Sequence, residues 1–130
     1  MNILLLEVWR ECESRNAYNR PSGHWLLHSH KKAWEKAIND ALMMVKANGH
    51  FPTAFIGKCE EKRSVHIIAY RQRLIDPDNV SIKALMDALK RLGLIYDDSA
   101  KWVEISVMQF SCGKKVRPYT LIEMRKNVKP

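Results

Sequence analysis

The sequence predicts a single α+β domain, a mixed β-sheet with two main helices. Two stretches place apolar residues at spacings of three and four, and each is closed by a glycine. Shorter stretches with extended patterning surround them. The elements then follow as strand, helix, strand, helix, strand, strand, an order that reads as α+β with a mixed sheet. At 130 residues the chain suits one domain, 1–130, whose core needs no disulfide or zinc.

Residues 2–9 (NILLLEVW) are an apolar run that fits a buried first strand. Residues 10–24 lack a core pattern; Arg15, Asn16, Asn19, Arg20 and the Pro21-Ser22-Gly23 turn mark a loop rich in donors. Two readings of that loop stand, a solvated connection or an arm that touches phosphates. From Ser29 to Asn48 the pattern is helical. Ala33, Trp34, Ala37, Ile38, Ala41, Leu42 and Val45 form one stripe, with Lys31, Lys32, Glu35, Lys36 and Asp40 opposite. Ser29 fits an N-cap and Asn48-Gly49 a stop. His24, His28 and His30 read as ordinary histidines, because no third ligand of matching spacing follows. Trp34 lies on the apolar stripe and belongs to the core, while Trp25 lies outside that stripe and is expected to be free to stack on bases if the chain binds nucleic acid.

After a loop with a short strand expected at 54–56, Ser64 to Ile75 alternates. Val65, Ile67 and Ala69 take one face and His66, Ile68 and Tyr70 the other. Arg71 and Arg73, two apart in an extended chain, are expected to project together. A second helix is expected from Asn79 to Leu92 on Ile82, Leu85, Met86, Leu89 and Leu92, ended by Gly93. Strands follow at 101–110, with Val103, Ile105 and Val107 facing one way, and at 119–125.

Composition narrows the function. A net charge of +8 favours a nucleic-acid partner over a membrane, since no segment is apolar enough to span a bilayer or both basic and apolar enough to adsorb to one. Ile3-Leu4-Leu5-Leu6 is too short for a signal peptide, and Cys12, Cys59 and Cys112 lack paired spacing, so reduced thiols in the cytoplasm are expected. Against this basic background, five of the six aspartates fall between positions 76 and 98. With Lys83, Lys90 and Arg91 that window carries −2 and the rest of the chain +10.

Asp76-Pro77-Asp78 suits a cation because a residue before proline is pushed toward extended geometry and proline fixes its own φ. Two stiff carboxylates two residues apart can then point to one side, as Mg²⁺ with its waters and phosphate oxygens prefers. Asp97 and Asp98 follow after a helix and are expected to fold back beside them. The structural alternative is that Asp76 or Asp78 caps a helix and Asp97-Asp98-Ser99 is only a turn.

Arg73, Asp76-Pro77-Asp78-Asn79, Lys83, Met86-Asp87-Ala88-Leu89, Gly93 and Asp97-Asp98-Ser99 together resemble the signature of RusA-type crossover junction endodeoxyribonucleases. The resemblance spans residues 71–103 and is weaker at Arg20–Trp25 and Lys31–Trp34. It implies a RusA-like fold and a symmetric homodimer in a prokaryotic or phage-encoded setting. It also implies Mg²⁺-dependent cleavage of four-way (Holliday) DNA junctions, with Mn²⁺ able to substitute. Asp76, Asp78 and Asp97 would be catalytic metal ligands, and Asp98 an alternate ligand or a group that orients one. Lys83 would neutralise the scissile phosphate, and Asn79 would orient a ligand or touch DNA. Arg71, Arg73, Lys31, Lys32 and Arg20 are the expected phosphate contacts. One departure stands out: Lys83 follows Asp78 by five residues where many relatives have four. Inside a helix that is a turn of about 100°, so Lys83 either aims at the site or pairs with Asp87 at i,i+4. A non-catalytic nucleic-acid-binding protein on the same scaffold is the rival expectation, and a nuclease acting on RNA or without branch preference is a third.

Overall fold

A computed structural model describes residues 3–19, 21–55 and 60–126. Arg20, Ile56 and Cys59 of the expectations above lie outside them. The fold is α+β: two helices against a mixed four-stranded sheet, with a small two-stranded sheet beside it. Strands β1 (Ile3–Val8), β3 (Arg63–Arg71), β5 (Val103–Ser111) and β6 (Tyr119–Lys126) lie in the order β1-β6-β3-β5. Only β3 and β5 run parallel, joined through α2 (Lys83–Arg91); β6 is antiparallel to both neighbours. The small sheet pairs β2 (Glu13–Ser14) with β4 (Val80–Ser81).

Alternation in β3 is as the sequence predicts. Val65, Ile67 and Ala69 are wholly buried under the helices, and His66, Ile68 and Tyr70 face the other way. Val103 is buried but Ile105 and Val107 on the same side are 41% and 39% exposed, because β5 is an edge strand. β1 is an edge strand as well. Leu4, Leu6 and Val8 are buried while Leu5 is 53% exposed, so the run Leu4-Leu5-Leu6 is half buried where continuous burial was expected.

Helix α1 (Gly23–Ala47) starts six residues before the expected Ser29, and Ser22 holds the N-cap position. Its stripe is the expected one, with Trp34, Ile38, Ala41 and Leu42 buried and Ala37 and Val45 packed against the core. Asn48 ends it, and Gly49 at φ 71° takes the left-handed conformation that closes the last turn. The strand expected at 54–56 is replaced by a 3₁₀ turn over Thr53–Phe55. The strand expected to run to Ile75 stops at Arg71, and helix α2 begins at Lys83, four residues later than expected. Among the described residues no helix is long and apolar enough to cross a membrane.

Trp34 is fully buried at the join of α1 with the sheet. Trp34→Ala is expected to lower the unfolding free energy by about 3–5 kcal/mol, read from urea denaturation followed by circular dichroism. Burial pushes the Cys12 thiol up to about 11, so little reactive thiolate exists near neutrality. Iodoacetamide at mildly alkaline pH is therefore expected to modify the partly exposed Cys112 well before Cys12, as read by peptide mass spectrometry.

Candidate functional site

The Asp76–Asn79 motif lies on the connection from β3 to α2. Asp76 is extended (φ −57°, ψ 137°), and Pro77–Asn79 then closes a 3₁₀ turn in which the Asn79 amide donates to the Asp76 carbonyl at 2.8 Å. Asp76 therefore holds the N-cap position of a short turn ahead of proline, although its side chain makes no capping bond. Asp78 lies inside that turn and not on the extended segment the sequence suggested. Both carboxylates are exposed.

Three attachments hold this connection. The side-chain amide of Gln109 on β5 accepts from the Ile75 amide at 3.2 Å and donates to the Ile75 carbonyl, standing in for a strand partner just before Asp76. The Arg15 guanidinium donates to the Asp78 carbonyl at 3.3 Å. After the motif, β4 pairs with β2 in register Glu13↔Ser81 and Ser14↔Val80.

Between these elements lies a groove of about 640 Å³ lined by Arg15, Asn16, Tyr18, Asn19, Asp78, Asn79 and Lys83 together with residues 80–82. The loop read from sequence as rich in donors thus faces the acidic motif across one groove. Lys83 joins it because Val80-Ser81-Ile82 is a strand and a cap position and not a helical turn. Residues 80–82 all precede α2, so none of them adds a turn of about 100° within the helix ahead of Lys83. Among the described interactions Lys83 does not pair with Asp87; Asp87 takes Lys31 at 3.0 Å across the two helices.

Glu13 supports the wall of this groove. Its carboxylate accepts from Trp34 Nε1 at 2.8 Å and Tyr18 Oη at 3.3 Å and pairs with Arg10 at 3.1 Å. Tyr18 Oη also lies 2.7 Å from His30 Nδ1. Burial, then the nearby Glu13 charge, raises the Tyr18 pKa well above its ordinary value, so the phenol stays protonated. Stability from this group falls as pH rises through the tyrosine range, where the unfolded chain ionises and the folded one resists.

The other expected site residues are placed elsewhere. Asp97 and Asp98 follow α2 where Asp78 precedes it. A helix of 9 residues at ~1.5 Å per residue separates its two ends by about 14 Å. Asp97 is paired with Lys90 at 2.9 Å, and that hydrogen bond holds its carboxyl below the usual range. Asp97-Asp98-Ser99 leads into a turn that Ser99 opens, its carbonyl accepting from the Trp102 and Val103 amides. Among the described residues no three His, Cys, Asp or Glu side chains are grouped to hold a metal ion. Two carboxylates on one loop still match Mg²⁺, which commonly takes one or two from protein and the rest from water and phosphate. Asp76 and Asp78 offer that donor chemistry on one exposed connection; of the two only Asp78 lines the groove, and Asp97 lies beyond the far end of α2.

Arg71 departs from the expected phosphate contact. It is 9% exposed at the inward end of β3, donating to the Cys12 and Arg73 carbonyls and lying 3.9 Å from Glu11. Arg73 is exposed on the bend leading to Asp76, so the two arginines do not share a face. Lys31 is tied to Asp87, whereas Lys32 is exposed beside it. Trp25 is 72% exposed on the first turns of α1. Arg15, Asn16 and Asn19 are the groove residues that the motif alone does not single out, and Gln109 holds the Ile75 backbone that leads to the motif. For Gln109 no sequence signal exists, because its role depends on which strand ends beside Ile75.

Glu13→Ala leaves the buried Trp34 N–H without its acceptor and is expected to cost about 1–3 kcal/mol, measured by urea unfolding. A Cβ at Gly23 would stand 2.2 Å from the Tyr18 carbonyl oxygen. Gly23→Ala is therefore expected to displace the 15–18 turn at a cost of about 1–3 kcal/mol, seen as amide shifts in Arg15–Asn19 by NMR. Comparison with family models gives no match for this chain, and a search of curated proteins gives none.

Proposed function

We propose that the chain is a Mg²⁺-dependent DNA endonuclease of the RusA type, acting as a homodimer on four-way junctions in the cytoplasm. The observation that carries this reading is the groove, in which Asp78 and Asn79 face Arg15, Asn16, Asn19 and Lys83. An acidic motif rimmed by cations and amides suits a phosphodiester better than either group does alone: the cations bind its charge and the carboxylates hold a counter-ion. The motif resemblance supplies the branched-DNA substrate, the dimer and the RusA-like fold assignment.

Asp78 from within the groove and Asp76 from the connection that leads to it would hold the ion, whose chemistry is to lower the pKa of a bound water and offset charge on the attacked phosphate. Lys83, at the first turn of α2, neutralises the scissile phosphate. Arg15 and Asn79 position the backbone around it, and Arg73 and Lys32 extend the grip along the strand. Asp97 and Asp98 are left out of this arrangement because they lie beyond the other end of α2. A second reading, a nucleic-acid-binding protein without catalysis, is favoured by the Lys90–Asp97 pair and the lack of a three-carboxylate group among the described residues.

Asp78→Asn separates the two, since it keeps the shape and removes the charge. The expected result, with a synthetic four-way junction, linear duplex and single strand side by side, is loss of nicking in Mg²⁺ with junction binding retained. Nicking at the unaltered rate would rule out the nuclease reading.

A further inference from the structure

Strand β5 forms one edge of the four-stranded sheet, and among the described residues no strand lies beyond it. Sheet edges are commonly guarded by proline, by an inward charge or by brevity. β5 runs for 9 residues (VEISVMQFS) without proline, and its single charged side chain, Glu104, is paired with Lys62 at 3.2 Å.

The hydrogen bonds fix which backbone groups look outward. The Arg63 amide donates to the Trp102 carbonyl and the Cys112 amide to the Arg71 carbonyl, so even-numbered residues from 102 to 112 turn toward β3. Successive residues of a strand alternate, which directs the N–H and C=O of Ile105, Val107 and Gln109 away from the sheet. The Val103 amide agrees with this phase, donating off the sheet to the Ser99 carbonyl. Among the described hydrogen bonds none takes the outward groups of Ile105, Val107 or Gln109. Apolar side chains flank that row on both faces. Ile105 and Val107 on the helix side are 41% and 39% exposed, and Met108 and Phe110 on the open side 55% and 44%. An unmet main-chain ladder with apolar side chains beside it is what strand addition requires.

Charge selects the occupant. Lys101 precedes the strand, Lys114 and Lys115 follow it, and Arg73 lies on the bend next to Gln72, whose carbonyl accepts from Ser111 Oγ. All four cations are exposed, while Lys62 balances Glu104. The edge is thus neutral along its length and basic at both ends. A second copy pairing edge to edge would set these lysines against their like in either direction. A nucleic acid has no row of amides to match the ladder. A segment with β-branched residues in the middle and Asp or Glu at its ends meets the ladder, the apolar flanks and the charges together.

We infer that the β5 edge binds an extended, acid-flanked segment of another protein, which adds to the sheet as a further strand. This surface is separate from the Asp78 groove, and the inference does not rest on the nuclease reading.

The test is titration of the full ¹⁵N-labelled chain with the synthetic peptide DEVTVTVTED, beside KKVTVTVTKK and two copies of the acidic peptide N-methylated on its odd or on its even core residues. The acidic peptide is expected to shift the amides of Ile105, Val107 and Gln109, and the lysine-flanked one to bind at least about tenfold more weakly. One methylated copy is expected to lose binding and the other to keep it, since a single edge of the peptide pairs. Val107→Pro removes an outward N–H at an edge position, where proline is tolerated, and is expected to weaken binding about tenfold. Circular dichroism checks its fold, and if it fails to fold the methylated peptides carry the same test on the unaltered chain. Equal binding by the two flank types, or by both methylated copies, would overturn the inference. So would shifts centred away from 105–109. Movement of those amides when the chain alone is concentrated would assign the edge to a second copy, and movement with a single-stranded oligonucleotide would assign it to nucleic acid; either result overturns the inference. Nicking is not scored, so the outcome bears on this edge alone.

Discussion

The Glu13 carboxylate is the contact on which the rest of the site depends. One side chain, 10% exposed, meets an indole N–H from α1, a phenol from the 15–18 turn and a guanidinium from just past the end of β1. Its backbone belongs to β2, whose partner β4 follows directly on the Asp76–Asn79 motif. Helix, loop and acidic motif are thereby referred to one point. A charge in such a place is favourable only when fully partnered, and here each oxygen has a donor.

The sheet sets a second constraint. β3 and β5 are parallel and α2 is the crossover between them, so the chain must leave one end of the sheet and return at the other. Asp76 and Asp78 belong to the outgoing loop and Asp97 to the returning one. Two inward arginines mark those ends. Arg71 binds the Cys12 carbonyl beside the outgoing loop, and Arg63, buried and paired with Glu61 at 2.9 Å, donates to the Leu94 carbonyl on the returning one. Their burial fits the alternation of β3 at both ends, where a charged side chain reads as exposed by composition alone.

That contrast shows what the sequence made legible. Periodicity found both core stripes and the β3 alternation because burial against one face imposes a period, and Asn48-Gly49 and Gly93 marked helix ends through the conformations they tolerate. Gly23 was read as part of a turn, whereas it opens α1 beneath the Tyr18 carbonyl, a close approach that only the fold reveals. The DxDN motif and the polar loop were each visible as residues. Their meeting across a groove was not, since β2 and β4 are two-residue strands too short to carry a pattern. The separation of Asp97 from Asp78 was hidden for a related reason: nearness in sequence across a helix was read as nearness in space, and the crossover forbids it.

Under the proposed function a divalent cation would bind at the β3–α2 connection and not at the α2–β5 turn. Addition of Mn²⁺ to the labelled protein, followed by paramagnetic broadening of amide NMR signals, tests this directly. Amides of residues 76–83 and 15–19 are expected to broaden first while 97–99 keep their intensity. Broadening centred on 97–99, or none at either loop, would contradict it.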